Sequence, residues 1–314
     1  MEEELTVDVQ QLRYFVSVSE LGGFAKASDV LDVPQPTLSR QVRNLELSIG
    51  TSLFHRHGRG VALTDAGAHF LSRAQEILRT LDRTLSELRK GDARLRGHIV
   101  CGVTPTVGRM MIPEFVRSFN AKLPLARLSM LNLLSSQLHD QLRASRIDFA
   151  IHHSPPTTSN AAMTQCLGTQ DLYLVGRYPV GPDARVVEVK RLDGVRLIMP
   201  SSPHVTRQPL EAAAARQNIA LQIDIEVDAV DSLFDLVNSG YAHTVSTRIG
   251  LATDWARPSL VAQRLVNPAL TTHLFFSATA DSASPLQRVS RELALIAFRS
   301  TCGHLVNPPH PENE

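Results

Sequence analysis

The chain has 314 residues, 43% of them apolar and 20% charged, enough for two or more globular domains and too apolar for a disordered protein. A net charge of +1 supplies no overall basic field, so a nucleic-acid surface would have to be local. Three cysteines, Cys101, Cys166 and Cys302, are odd in number, far apart and without CxxC spacing, which excludes a disulfide framework and a zinc site and suits a reducing compartment.

The opening MEEELTVDVQ is acidic where an export signal needs a basic start, and no run of about eighteen apolar residues occurs anywhere; the expectation is a cytoplasmic chain with no membrane partner. Val9, Leu12, Phe15 and Val16 mark a first short helix. Phe24, Ala27, Val30 and Leu31 mark a second, with Gly22 and Gly23 between them. In VPQPTLSRQVRNLE, residues 33–46, the apolar positions Leu38, Val42, Leu45 and Ile49 form one stripe of a third helix. Opposite that stripe lie Pro36, Ser39, Arg40 and Arg43, with Gln35 and Thr37 in the first turn. Three short helices with tight connections, the third presented outward, make helix-turn-helix geometry.

Next, TSLFHRHGRGVALT places β-like pairs around a glycine-bearing tip with Arg56 and Arg59, a wing. From Val33 to Gly60 four arginines face Glu46 alone, a local charge of +3 in a nearly neutral chain. The major groove admits an α-helix, and arginine and glutamine carry donors shaped for base edges; wing arginines would reach phosphates or the minor groove. From a Thr64 cap an unbroken helical pattern runs to Lys90, and Ala74, Leu78, Leu81, Leu85 and Leu88 form a seam that wants a partner helix. Dimerisation through it would set two recognition helices roughly 34 Å apart along the duplex.

From Gly97 the period changes to strands alternating with helices: HIVCGVT, VGRMMIPEFVRSFNAKL, ARLSMLNLL, SSQLHDQLRASR and DFAIHH form one α/β unit. A second follows in DLYLVGR, VRLIMP, a helix beginning near Thr206, LQIDIEVDA, DSLFDLVNSG and AHTVST. The chain then returns through THLFFSATA and SPLQRVSRELALIAFRS to the first. Two lobes joined by two crossings, near Gly168 and Val266, leave a cleft of the kind that binds a small molecule. TPTVG sets Thr104 and Thr106 at the start of a helix, where hydroxyls and free N–H groups hold an anion such as a carboxylate or serve as a plain N-cap. Ser201, Ser202 and Thr244 are the expected contacts from the second lobe. His152 and His153 could ligate a metal, but no third ligand has suitable spacing, so they read as surface or cleft side chains. No GxSxG, HExxH, P-loop or GxGxxG occurs, so catalysis has no candidate machinery and no cofactor is expected. NPPHPENE reads as a disordered end.

LRYFVSVSELGGFAKASDVLDVPQPTLSRQVRNLELSIGTSLFHRHGRGVALTDAG closely resembles the N-terminal domain of the LysR-type transcriptional regulators. The resemblance is detailed over about the first ninety residues and is one of layout beyond them. It implies an α+β multidomain chain: a winged helix-turn-helix DNA-binding domain (1–64), a long linker and dimerisation helix (65–92) and a two-lobed α/β periplasmic-binding-protein-like effector domain (93–308). Lobe 1 takes about 93–167 and 267–308, lobe 2 about 168–266. Gln35, Pro36, Ser39 and Arg40 match the family's recognition-helix positions, and Arg56 and Arg59 its wing. Glycine at 23 and proline at 34 depart from the family's usual serine and small polar residue. The implied partners are double-stranded promoter DNA, a small-molecule effector, further copies of the chain as a homodimer and homotetramer, and RNA polymerase. A small-molecule transport receptor and an α/β enzyme with an accessory domain are the rivals; the basic winged N-terminus opposes the first, the missing catalytic constellation the second.

Overall fold

The computed structural model describes residues 7–57, 60–88, 95–153, 163–253, 255, 258–279 and 284–308. The chain divides into two compact units, Met1–Arg94 and Leu95–Glu314.

In the first unit Asp8 caps α1 (Val9–Leu21): its carboxylate accepts the Gln10 N–H at 3.0 Å while the Gln11 side chain accepts the Asp8 N–H at 3.2 Å, a reciprocal pair that satisfies two orphan donors. Gly22, at φ +70°, ends the helix in the left-handed region that glycine enters without strain. α2 (Phe24–Leu31) is so short that it fully buries Ala27 alone; Val30, expected in its apolar stripe, is 67% exposed. α3 (Gln35–Ile49) buries Leu38, Val42 and Leu45 completely, as its period requires. The strands β1 (Phe54–His57) and β2 (Gly60–Leu63) pair antiparallel from Phe54↔Leu63 to His57↔Gly60. α4 (Asp65–Leu88) starts at Thr64, whose hydroxyl accepts the Gly67 N–H at 2.9 Å. Its Ala74 and Leu78 fill the same core as Phe15 and Phe54. Phe15 sits 5.3 Å from both Phe54 and Phe70, centroid to centroid, in the tilted and edge-on arrangements that aromatic quadrupoles favour.

The second unit contains β3 (Gly97–Val103), α5 (Pro105–Lys122), β4 (Ala126–Asn132), α6 (Ser135–Arg143), β5 (Phe149–His153) and β6 (Met163–Gly176). There follow β7 (Val186–Glu188), β8 (Arg196–Met199), α7 (Arg207–Arg216), β9 (Gln222–Glu226), α8 (Val230–Asn238), β10 (Thr244–Thr247), α9 (Arg248–Leu251), β11 (Val261–Val266), β12 (Thr271–Ala278) and α10 (Pro285–Thr301). β3 lies parallel to β4 and β5, while β12 runs antiparallel to β5 and β6. Beyond them β6 pairs with β10 and β11, and β8 with β9.

β6 is one strand across both lobes. Leu167 packs on the core holding Phe115, Phe119 and Phe276, whereas Leu172 and Leu174 belong to the core holding Leu197 and Leu265. The return crossing lies in β12, between Leu270 in the second core and Leu274 in the first, rather than near Val266. The crossing is therefore a hydrogen-bonded ribbon, from Thr271↔Asp171 to Leu274↔Gly168. Asn307 joins it: its carbonyl accepts the Thr169 N–H at 2.9 Å and its N–H donates back at 2.8 Å. The first residue of the tail expected to be disordered is thus paired, and residues 309–314 lie outside the described ones. Among the described residues no helix is long and apolar enough to cross a membrane.

Candidate functional site

Burying Leu38, Val42 and Leu45 turns the other side of α3 outward. Gln35, Pro36, Arg40 and Arg43 are exposed; Thr37 and Ser39 are partly so. Neither Arg40 nor Arg43 is in an ion pair among the described residues, unlike Arg13, whose guanidinium lies 2.8 Å from Asp82. Glu46, the one acid of this stretch, is turned to structural use: its Oε1 accepts the N–H groups of Leu53 at 2.8 Å and Phe54 at 3.1 Å. α3 and the β1–β2 hairpin are thereby held together while the basic face stays free. Pro36 occupies the first turn, where its missing N–H costs nothing. Arg56 lies on β1 opposite Val61, and Arg59 lies outside the described residues. Only the outer part of the α4 seam is open: Ala74 and Leu78 are buried in their own unit, whereas Leu85 is 44% exposed and the neighbouring Ile77 50%.

In the second unit a cleft, about 580 Å³ of empty space with its open mouth included, lies where the ends of β3, β5, β8 and β10 meet. Thr104, Thr106 and Thr244 line it; Ser201 and Ser202 do not, and the Ser201 N–H instead donates to Asp228 at 2.8 Å. Thr104 stands at the N-cap of α5, but its hydroxyl makes no capping bond. Both Thr104 Oγ1 and Thr244 Oγ1 are buried without a hydrogen-bond partner, a cost that a bound polar group would relieve. The first-turn N–H groups of α5 have no intrahelical acceptor either. Val230, Leu233 and Phe234 supply an apolar wall.

Two histidines also line the cleft. His153 closes β5 and is buried; His204 follows β8. Burial, then the neighbouring His204 and His152, push the His153 imidazole down to about 3. Burial likewise lowers His204 to about 4, against an opposing pull from Asp228. Both rings are neutral at physiological pH. His152 is buried too, in a chain running from His139 Nε2 (3.0 Å) through its own ring to Ser277 Oγ (3.0 Å). Among the described residues no cluster of His, Cys, Asp or Glu could hold a metal ion. His204 and His153 were open to sequence reasoning only through their place at strand ends, where ligands of α/β folds bind.

A winged helix-turn-helix with an unpaired basic helix face, followed by a two-lobed α/β unit with an unsatisfied polar cleft, defines a ligand-responsive DNA-binding regulator. Residues 9–68 match the family described as "Bacterial regulatory helix-turn-helix protein, lysR family", and residues 92–298 match the "LysR substrate binding domain". The chain belongs to the LysR family of transcriptional regulators, with a DNA-binding domain and an effector-binding domain. It is 25% identical to the nitrogen assimilation regulatory protein nac of Klebsiella aerogenes over 98% of both chains. Identity reaches 33% with the HTH-type transcriptional regulator TfdT of Cupriavidus pinatubonensis, over 55% of this chain and 75% of that protein. Full-length OxyR from Pseudomonas aeruginosa shares the fold at a TM-score of 0.74 and 20% identity, covering 98% of this chain and 99% of that one. CbnR in complex with its target DNA does so at 0.67 and 23%, covering 93% and 100%.

Proposed function

We propose that α3 enters the major groove of promoter DNA, with Gln35, Thr37, Ser39, Arg40 and Arg43 meeting base edges and phosphates and Pro36 packing at the entry. The wing arginines Arg56 and Arg59 hold the backbone beside it. A small organic acid in the cleft, held by Thr104, Thr106, Thr244 and the N-terminus of α5, biases the lobe arrangement and so the way the assembled chains sit on DNA. Self-association uses the outer half of α4, giving a homodimer and, by pairing of dimers, a homotetramer that acts in the cytoplasm, where its DNA target is, and reaches RNA polymerase there. The chain works by binding, without catalysis.

One observation carries the effector reading: two buried, unpartnered hydroxyls, Thr104 and Thr244, line the same cleft from different lobes. The test is a nuclease footprint of the full chain on the intergenic DNA beside its own gene, with and without small organic acids. A protected segment whose extent changes with one of the acids is expected. Protection no better than on random competitor DNA would refute the DNA assignment.

A further inference from the structure

The cleft histidines are held in opposite tautomers by groups that can only donate. Gln170 has its Oε1 engaged by the Ile249 backbone N–H at 3.2 Å, which obliges its amide NH2 to face His153 Nε2, 3.3 Å away. His153 Nε2 must therefore accept, and the ring proton sits on Nδ1. At His204 the Thr206 backbone N–H points at Nδ1 at 3.3 Å, with the Thr206 hydroxyl at 3.0 Å. That nitrogen accepts, and the proton sits on Nε2.

We propose that His153 and His204 are a pair of fixed-tautomer N–H donors, one from each lobe, that read a carboxylate on the effector without taking up a proton. The proposal rests on reading the cleft as the effector site. Among the described residues no Asp, Glu, Lys or Arg lines it. Its fixed polar groups, two imidazole N–H donors and the free N–H groups of the first turn of α5, all donate; a carboxylate only accepts and matches them. A second proton on His153 would set N–H against the Gln170 amide, which cannot turn while Ile249 holds it. On His204 it would confront the Thr206 N–H. The titratable neighbours are His152, bonded to His139 of α6, and Asp228, beyond β9. Burial already holds both cleft rings neutral, and Asp228 alone pulls the other way.

The test uses the full chain and three probes with one aromatic body: phenylacetate, phenylacetamide and phenethylamine. Phenylacetate is expected to raise the melting temperature most and phenethylamine not at all, with the affinity for phenylacetate flat from about pH 5 to pH 8. An asparagine amide nitrogen overlays histidine Nδ1 and a glutamine amide nitrogen overlays Nε2. His153→Asn and His204→Gln should therefore stay within about threefold of the parent affinity, while His153→Gln and His204→Asn lose about tenfold. Histidine C2–H exchange, followed by mass spectrometry on the unliganded chain, should show no inflection at either residue between about pH 5 and pH 8. An inflection there, the reversed substitution pattern, or a preference for the amine or amide overturns the proposal while leaving the cleft reading intact. If none of the three probes shifts the melting temperature, the cleft reading itself falls.

Discussion

Glu46 accepts the backbone N–H of Phe54 at 3.1 Å, so the last turn of α3 and the first strand of the wing move as one piece. The same oxygen takes the Leu53 N–H. Glu46→Ala leaves two backbone donors without this acceptor and should cost about 1–3 kcal/mol of unfolding free energy in urea titrations. Glu46→Gln, which keeps an acceptor oxygen in place, should recover most of it.

Arg40→Ala removes a donor fork from the exposed face of α3. Its expected effect is a loss of roughly 1–3 kcal/mol in discrimination between the target and random duplex. Equal weakening on both DNAs, measured by fluorescence anisotropy, would reassign Arg40 to phosphate contact alone.

Thr104→Val replaces a buried, unpartnered hydroxyl with a methyl of the same shape. The unliganded protein should keep its stability or gain up to about 1 kcal/mol, because a desolvated polar atom is removed. Affinity for carboxylate ligands should fall. A marked loss of stability in denaturant titration would mean that the hydroxyl has a partner after all.

Both cleft histidines are lowered from 6.5 on folding, so the unfolded chain binds more protons than the folded one once the pH drops below that value. Their contribution is complete above pH 6.5 and is lost as the pH falls toward about 4 for His204 and about 3 for His153. The slope approaches about 1.4 kcal/mol per pH unit for each ring. His153→Gln should flatten this acid limb in a pH series of thermal melts; an unchanged limb would show that other groups set it.

Ile77 and Leu85 leave their side chains half in solvent on the open part of α4. Changing both to serine should weaken self-association in sedimentation velocity without lowering the melting temperature of the winged unit. Unaltered association would place the contact elsewhere.

The exposed basic face of α3 was legible because the burial partners lie on the same helix: Leu38, Val42 and Leu45 announce by spacing which side points in. Thr104 and Thr106 were legible as a strand-to-helix junction. Val30 was misplaced because eight residues of α2 offer too little surface to cover a whole stripe. His153 was legible as a strand-end histidine but its tautomer was not, because that is decided by Gln170 and Ile249, partners that only the fold brings together. Likewise only the second half of β6, DLYLVGR, read as a strand, because the first half lacks the alternation of a strand with one buried face.

Asn307 is stitched to Thr169 on the ribbon that joins the lobes, and a Cβ on Gly168 would come within 2.3 Å of the Asn307 carbonyl oxygen. Residues 306 and 307 therefore act as a third rung beside the two strands of the ribbon, and the bare backbone of Gly168 is what lets that rung lie so near. Truncation before Asn307 would strip the Thr169 N–H and carbonyl of both bonds and leave the ribbon between the lobes with one rung fewer.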